Sequence, residues 1–167
     1  MSEVKVTKDL ENSKLIIEYT ANGPKDKVWK AYADKDWFEK WWGPEGWETT
    51  AKEFNFAPGG QVHYGMKCID ERQGDWYGKS SWGVMQIKEV SEGKSFTYQD
   101  FFSDEDGVLD MNMPALIVTN EFIEEDGKTR IISTSLADKP AQIEELIKMG
   151  MIEGFSSQLD KLDKLFA

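Results

Sequence analysis

Apolar and polar positions change their period several times along this chain. Leu15, Ile16, Ile17 and Tyr19 make a short β-branched and aromatic run, which predicts a first strand. Asn22-Gly23-Pro24 breaks it, and Pro24 suits the first turn of a helix, where a missing N–H costs little. Val28, Ala31 and Tyr32 then recur at helical spacing, so a short amphipathic helix is expected over 24–34. A second short helix is expected from Asp36 to Trp42. It carries Trp37, Phe38, Trp41 and Trp42, and Gly43-Pro44-Glu45-Gly46 stops it.

From Glu48 to Ala137 the pattern is that of strands, with candidates at 48–57, 61–69, 78–90, 94–103, 115–124 and 129–137. Pro58-Gly59-Gly60, Ser91-Glu92-Gly93 and Glu125-Asp126-Gly127 supply turns between them. Turns this short imply antiparallel pairing, because a parallel crossover needs a dozen or more residues. In strand 61–69, Val62, Tyr64, Met66 and Cys68 alternate with Gln61, His63 and Lys67, and the first set is assigned inward. Apolar residues occur at both parities in 78–103, and again at Ile117, Phe122 and Ile123, so no facing is assigned there. The polar stretch Ser103–Pro114 is expected to be a mobile loop at the sheet's rim.

The last segment returns to helical period. Asp138 is the expected cap, with Pro140 in the first turn. Ile147, Met151, Phe155, Leu159, Leu162 and Phe166 form one apolar stripe, which predicts a continuous helix of about seven turns. Gly150 and Gly154 flank the stripe one turn apart. Helix-interior glycines cost roughly 1 kcal/mol each relative to alanine. They allow either close contact with the sheet or space for a ligand, and close contact is the favoured reading. Such a helix must bury its stripe, and the sheet is its only large partner. The expected organisation is a polar, flexible leader over 1–13 and a single domain over 14–167. The expected class is α+β: a curved antiparallel sheet gripping a long C-terminal helix, with an apolar pocket between them.

Composition narrows the function. Of 167 residues, 31 are Asp or Glu and 20 are Lys or Arg, for a formal net charge of -11. Phosphate backbones and anionic membrane surfaces both recruit basic footprints, so nucleic acid and lipid surfaces are poor partners. Cys68 is the one cysteine, which excludes an internal disulfide and fits a reducing compartment. No apolar signal core follows Met1, and no apolar run reaches the roughly 18 residues that a membrane-spanning helix needs. A cytoplasmic protein without membrane insertion is expected.

Four features occur in order around these elements: Val28-Trp29-Lys30-Ala31, Trp41-Trp42-Gly43-Pro44, Phe56-Ala57-Pro58-Gly59-Gly60 and Gly127-Lys128-Thr129-Arg130. Over roughly residues 14–166 the chain resembles the family named after the activator of the heat-shock protein 90 ATPase. That family lies within the START/birch-allergen (SRPBCC) superfamily of helix-grip folds. Members often carry Asp shortly before the Pro-Gly-Gly turn and Arg just before its proline; here Asn55 and Ala57 stand in those places. The resemblance implies a deep cavity between long helix and sheet. Across the superfamily that cavity binds lipids, hormones or polyketides and sometimes hosts cyclase chemistry. The family name further implies a chaperone as a possible partner.

Catalytic signals are sparse. His63 and Cys68 have opposite parity on one strand, which disfavours both a shared metal and a nucleophilic pair, and no metal or other cofactor is expected. No Gly-x-Ser-x-Gly elbow or phosphate-binding glycine loop occurs. The acidic runs 104–106 and 124–126 fall in expected turns and read as solvated. A lone strand histidine such as His63 is expected at the surface or rim. What remains is aromatic and thioether supply: Trp41 and Trp42 at one end, Tyr64, Met66 and Tyr98 from strands, Met111 and Met113 from the rim loop, Met151 and Phe155 from the helix. Tyr64, Tyr98 and His63 are the candidate polar tips. The leading expectation is a carrier or sensor for a small apolar molecule (a lipid, polyketide or aromatic compound). A cyclase, dehydratase or hydrolase using the same pocket, and a co-chaperone or other protein-interaction module, are the alternatives.

Overall fold

A computed structural model describes residues 4–166. Eight antiparallel strands form one curved sheet: β1 (Val4–Asp9), β2 (Lys14–Ala21), β3 (Trp47–Phe54), β4 (Gln61–Cys68), β5 (Ser80–Ser91), β6 (Ser95–Ser103), β7 (Leu116–Glu125) and β8 (Lys128–Leu136). Their order across the sheet is β1-β2-β8-β7-β6-β5-β4-β3. Two register shifts, at Ala51/Glu53 in β3 and Ile87/Glu89 in β5, insert an extra residue on one strand, a device that bends a sheet. Helices α1 (Lys25–Ala33), α2 (Lys35–Trp41), α3 (Pro140–Lys148) and α4 (Met151–Lys164) complete the fold. Asp34 ends α1 and caps α2, its carboxylate accepting from the backbone N–H of Asp36 and Trp37 at 3.0 and 3.3 Å.

The expected loose leader is corrected by β1. Val4 pairs with Tyr19 and Asp9 with Lys14, the ladder running the full length of the strand. Val4 and Val6 pack against the core while Lys5 and Thr7 face out, a period of two that the polar composition of the segment conceals. Residues 1–3 of that leader lie outside the described residues.

The expected continuous helix is likewise corrected. It breaks at Gly150, whose φ of 91° is left-handed, and α4 starts afresh from that residue. The apolar stripe survives the break because Ile143 and Leu146 of α3 and Leu159 and Leu162 of α4 are all buried. Asp138 is not the cap of α3: Gln142 folds back instead, its Oε1 accepting from the N–H of Asp138 and Lys139 at 3.0 and 3.2 Å. Pro140 does open the helix.

Register settles the strand facings. Tyr64 lies across from Gly83, Gly83 from Phe102, and Tyr98 from both Ile87 and Val118. Phe96, Tyr98, Asp100 and Phe102 of β6 therefore share the concave face with Met85 and Ile87. On β7 the concave set is Leu116, Val118, Asn120 and Phe122, and Ile117 points outward. The other face has a small core of its own. His63, Val84 and Phe101 stand in one row across β4, β5 and β6, and all three are buried. The loop after β6 covers them. His63 Nε2 lies 3.2 Å from the Asp104 carbonyl, and Lys52, over the ring of Trp82, donates to the carbonyl of Glu105 at 2.9 Å. His63 is thus a buried residue of the convex face, neither a surface position nor a polar tip of the concave side.

Candidate functional site

A cavity of about 400 Å³ lies between the concave face and the C-terminal helices. Strand alternation aims Tyr64 and Met66 of β4 and Tyr98, Asp100 and Phe102 of β6 into it. Ile17, Leu116 and Val118 extend the wall, and Ser133 and Ser135 of β8 add hydroxyls. Met151, Gly154 and Phe155 come from α4 opposite, with exposed Met149 at the rim. A second depression, about 610 Å³, is more open and has charged walls that include Lys25, Asp26 and Glu124.

Breaking the helix serves this space. At Gly150 the chain changes direction, and at Gly154 a Cβ would meet nothing within 4 Å. Of the two readings of these glycines, contact with the sheet and room beside it, the structure has room. One end of the cavity is closed by the turn after α2, which α4 holds with polar contacts. Gly43 N–H donates to Gln158 Oε1 at 2.9 Å, Glu45 N–H donates to Ser157 Oγ at 3.1 Å, and Lys161 Nζ donates to the carbonyls of Gly43 and Trp47 at 3.2 Å each. Partial burial holds the Lys161 ammonium below its ordinary pKa.

A hydrogen bond ties two strands within the wall. Tyr64, whose ring meets that of Trp42 edge to face, donates from Oη to Asp100 Oδ1 at 3.0 Å. Gly83 makes the bond possible, since a Cβ there would sit 2.5 Å from the Tyr64 hydroxyl. Asp100 retains some accessible surface because its side chain opens onto the cavity, yet protein surrounds it closely. Burial pushes its pKa from the usual 3.8 to about 7, and the bond from Tyr64 opposes that rise. Tyr64 and Tyr98 are both pushed well above the ordinary phenol value, first by burial and next by the Asp100 charge. Beyond the cavity wall, the buried Tyr19 and Tyr32 hydroxyls bond to each other.

Of the residues singled out in the sequence, Trp42, Tyr64, Met66, Tyr98, Met151 and Phe155 gather around the cavity. Trp41 does not. It is fully buried behind Trp42, its indole N–H donating to the Ala31 carbonyl at 2.7 Å. Met111 is 75 % exposed, and neither it nor Met113 lines the cavity; their loop passes His63 on the convex face at Asp104 and joins the cavity wall at Pro114. Asp100 was missed. The available signal was the even-numbered series Phe96, Tyr98, Phe102 with one carboxylate set into it. Phe101, which belongs to the convex-face core, hid that series by making both parities look apolar.

A concave antiparallel sheet closed by C-terminal helices, with a cavity between them, defines a helix-grip protein. The chain belongs to the family of activator of Hsp90 ATPase homolog 1-like proteins, whose model matches residues 22–167. A crystal structure of a Mycobacterium smegmatis protein is similar to it at 31% identity, covering 99% of this chain and 98% of that one with a TM-score of 0.87. Solution structures of proteins from Arthrobacter aurescens (25% identity, 95% and 88% covered, TM-score 0.84) and Staphylococcus epidermidis (28% identity, 96% and 92% covered, TM-score 0.81) are similar as well. No curated protein matches the chain.

Proposed function

We propose that this protein binds a compact, largely apolar small molecule in the cavity between sheet and α4, as a carrier or sensor. The observation that carries this reading is the cavity itself: about 400 Å³, walled mostly by aromatic, aliphatic and thioether side chains, with a few polar groups at fixed places. Binding sites for small molecules are commonly concave and apolar, with a small number of convergent polar groups that fix orientation. The opening at Gly154 gives a ligand room that a side chain would otherwise take.

Replacing Phe155 or Met151 with Asp tests it. Both side chains are only partly buried and belong to the cavity wall, so the fold should tolerate the change. A desolvated charge should weaken binding of any apolar ligand by at least about tenfold. Titration of wild type and variants with a panel of lipids, flavonoids and polyketide mimics, read by chemical shift, makes the comparison. Folded variants that bind like wild type would contradict the assignment.

One observation favours a second reading. A carboxylate that titrates near neutrality and opens onto a cavity suits general acid–base catalysis. Under that reading the cavity is the mould of a cyclase or dehydratase, with Asp100 moving a proton to or from a bound substrate. Turnover that disappears in Asp100→Asn while binding persists would separate the enzyme from the carrier.

A further inference from the structure

We propose that the occupant of this cavity is a lipophilic amine, its ammonium group seated against the Asp100 carboxylate and the surrounding aromatic faces. The inference rests on the ligand-binding reading above and narrows it to a chemical class.

Charge decides first between classes. Among the described residues lining the cavity, Asp100 is the one carboxylate, and none is Lys, Arg or His. An anionic ligand, such as a fatty acid or an acyl phosphate, would bring a second negative charge beside Asp100 with no cation to receive it. Like charges in a poorly solvated space repel strongly. A ligand cation meets the opposite situation, since a buried carboxylate gains most from a charged donor.

The carboxylate is also under-served. Among the described residues, Tyr64 is the one donor seen on it, at Oδ1. An ionised carboxylate has room for about four donors. An alkylammonium brings two or three N–H groups to such an acceptor.

Aromatic surface supplies the remainder. Trp42, Tyr64, Tyr98, Phe102 and Phe155 contribute rings to the same cavity. Ring faces attract ammonium groups, more strongly once water is excluded. A neutral alcohol could donate to Asp100 but would gain nothing from the rings' electrostatics, and a hydrocarbon would gain neither.

The linkage is testable. Cation binding requires ionised Asp100, whose pKa lies at about 7 in the empty cavity. Affinity for an amine should therefore fall as pH drops below about 7, while affinity for a neutral analogue should not. The other titratable side chains on the cavity wall, Tyr64 and Tyr98, are pushed above the ordinary phenol range and stay neutral throughout.

The experiment compares four compounds with one ring system: naphthylmethylamine, naphthylmethanol, methylnaphthalene and naphthoic acid. Each is titrated calorimetrically into wild type, Asp100→Asn and Tyr64→Phe at pH values on both sides of 7. The amine should bind about tenfold or more tighter than the alcohol or hydrocarbon in wild type, and the acid weakest of all. That preference should disappear in Asp100→Asn, whereas in Tyr64→Phe it should survive only at higher pH, because loss of the Tyr64 hydrogen bond raises the Asp100 pKa further. Should Asp100→Asn fail to fold, the pH dependence in wild type and its upward shift in Tyr64→Phe still decide, and an amine affinity with no pH dependence in either would overturn the assignment. If the neutral compounds bind as tightly as the amine, or the amine's advantage survives Asp100→Asn, the amine assignment is wrong and the ligand-binding reading stands. If none of the four binds at millimolar concentration, both fall together.

Discussion

Asp100 has company that explains how an acid can sit on the inner face of a sheet. It follows Tyr98 at the next concave position, takes a hydrogen bond from Tyr64, and depends on Gly83 for the space that bond needs. Its pKa of about 7 has a consequence for stability. The folded-state value is raised, so the native protein holds a proton that the unfolded chain releases near 3.8. The cost of ionising the buried group is absent below about pH 4, grows as pH rises towards 7 and is complete above it. Asp100→Asn removes that cost. The variant's stability relative to wild type should therefore climb by up to about 4 kcal/mol between about pH 4 and 7 and then level off. Urea melts across that range measure it, and a difference that stays flat from pH 4 to 8 would mean that Asp100 titrates as an exposed acid. Alternation in strand 61–69 points Tyr64 and Met66 inward, while Tyr98 stands out in the sequence by residue type alone. Neither signal could recover Asp100, because polar identity at an inward position is visible only once the register is known.

At the scale of elements, the C-terminal stripe was legible and the break within it was not. Hydrophobic spacing is carried through Gly150 without a shift, so period alone reads one helix. The left-handed φ of 91° at Gly150 is a backbone property with no hydrophobic signature. The two glycines consequently differ in kind, though they sit one turn apart. Alanine at Gly150 must adopt a conformation costing about 1–2 kcal/mol, and its Cβ has nearly open space, so the loss is conformational. Alanine at Gly154 sits inside α4, meets nothing, and should stabilise the helix by up to about 1 kcal/mol. That second variant also adds a methyl to the cavity wall. Gly154→Ala should thus melt higher than wild type yet bind a bicyclic ligand several-fold more weakly, while Gly150→Ala should melt lower. Thermal melts and one titration check the pair. The reverse order of melting temperatures would contradict the assigned helix break. Strand β1 follows the same logic as the helix break: Val4 and Val6 carry a correct alternation, but two positions in a lysine-rich segment are too few to stand out.

For the whole molecule, the order of elements and the short Gly-containing turns read as an antiparallel sheet packed on a long C-terminal helix, and the family resemblance supplied the helix-grip form. The cavity needed more. It exists because side chains are missing at Gly154, because α4 leaves from a turn at Gly150, and because Gln158, Ser157 and Lys161 hold the end turn in place. These are long-range contacts between residues more than a hundred positions apart, and no local pattern announces them. The same contacts give the molecule an internal control for a binding experiment. Met66, Met149 and Met151 line the cavity, whereas Met111 is exposed elsewhere and Met85 is packed in the core. The most direct test of a ligand cavity is methyl NMR of protein labelled at its methionines, titrated with a compact aromatic compound. The account predicts saturable shifts at Met66, Met149 and Met151 together, with Met111 unmoved. Shifts at Met111 alone, or none at the three cavity methyls at millimolar ligand, would contradict it.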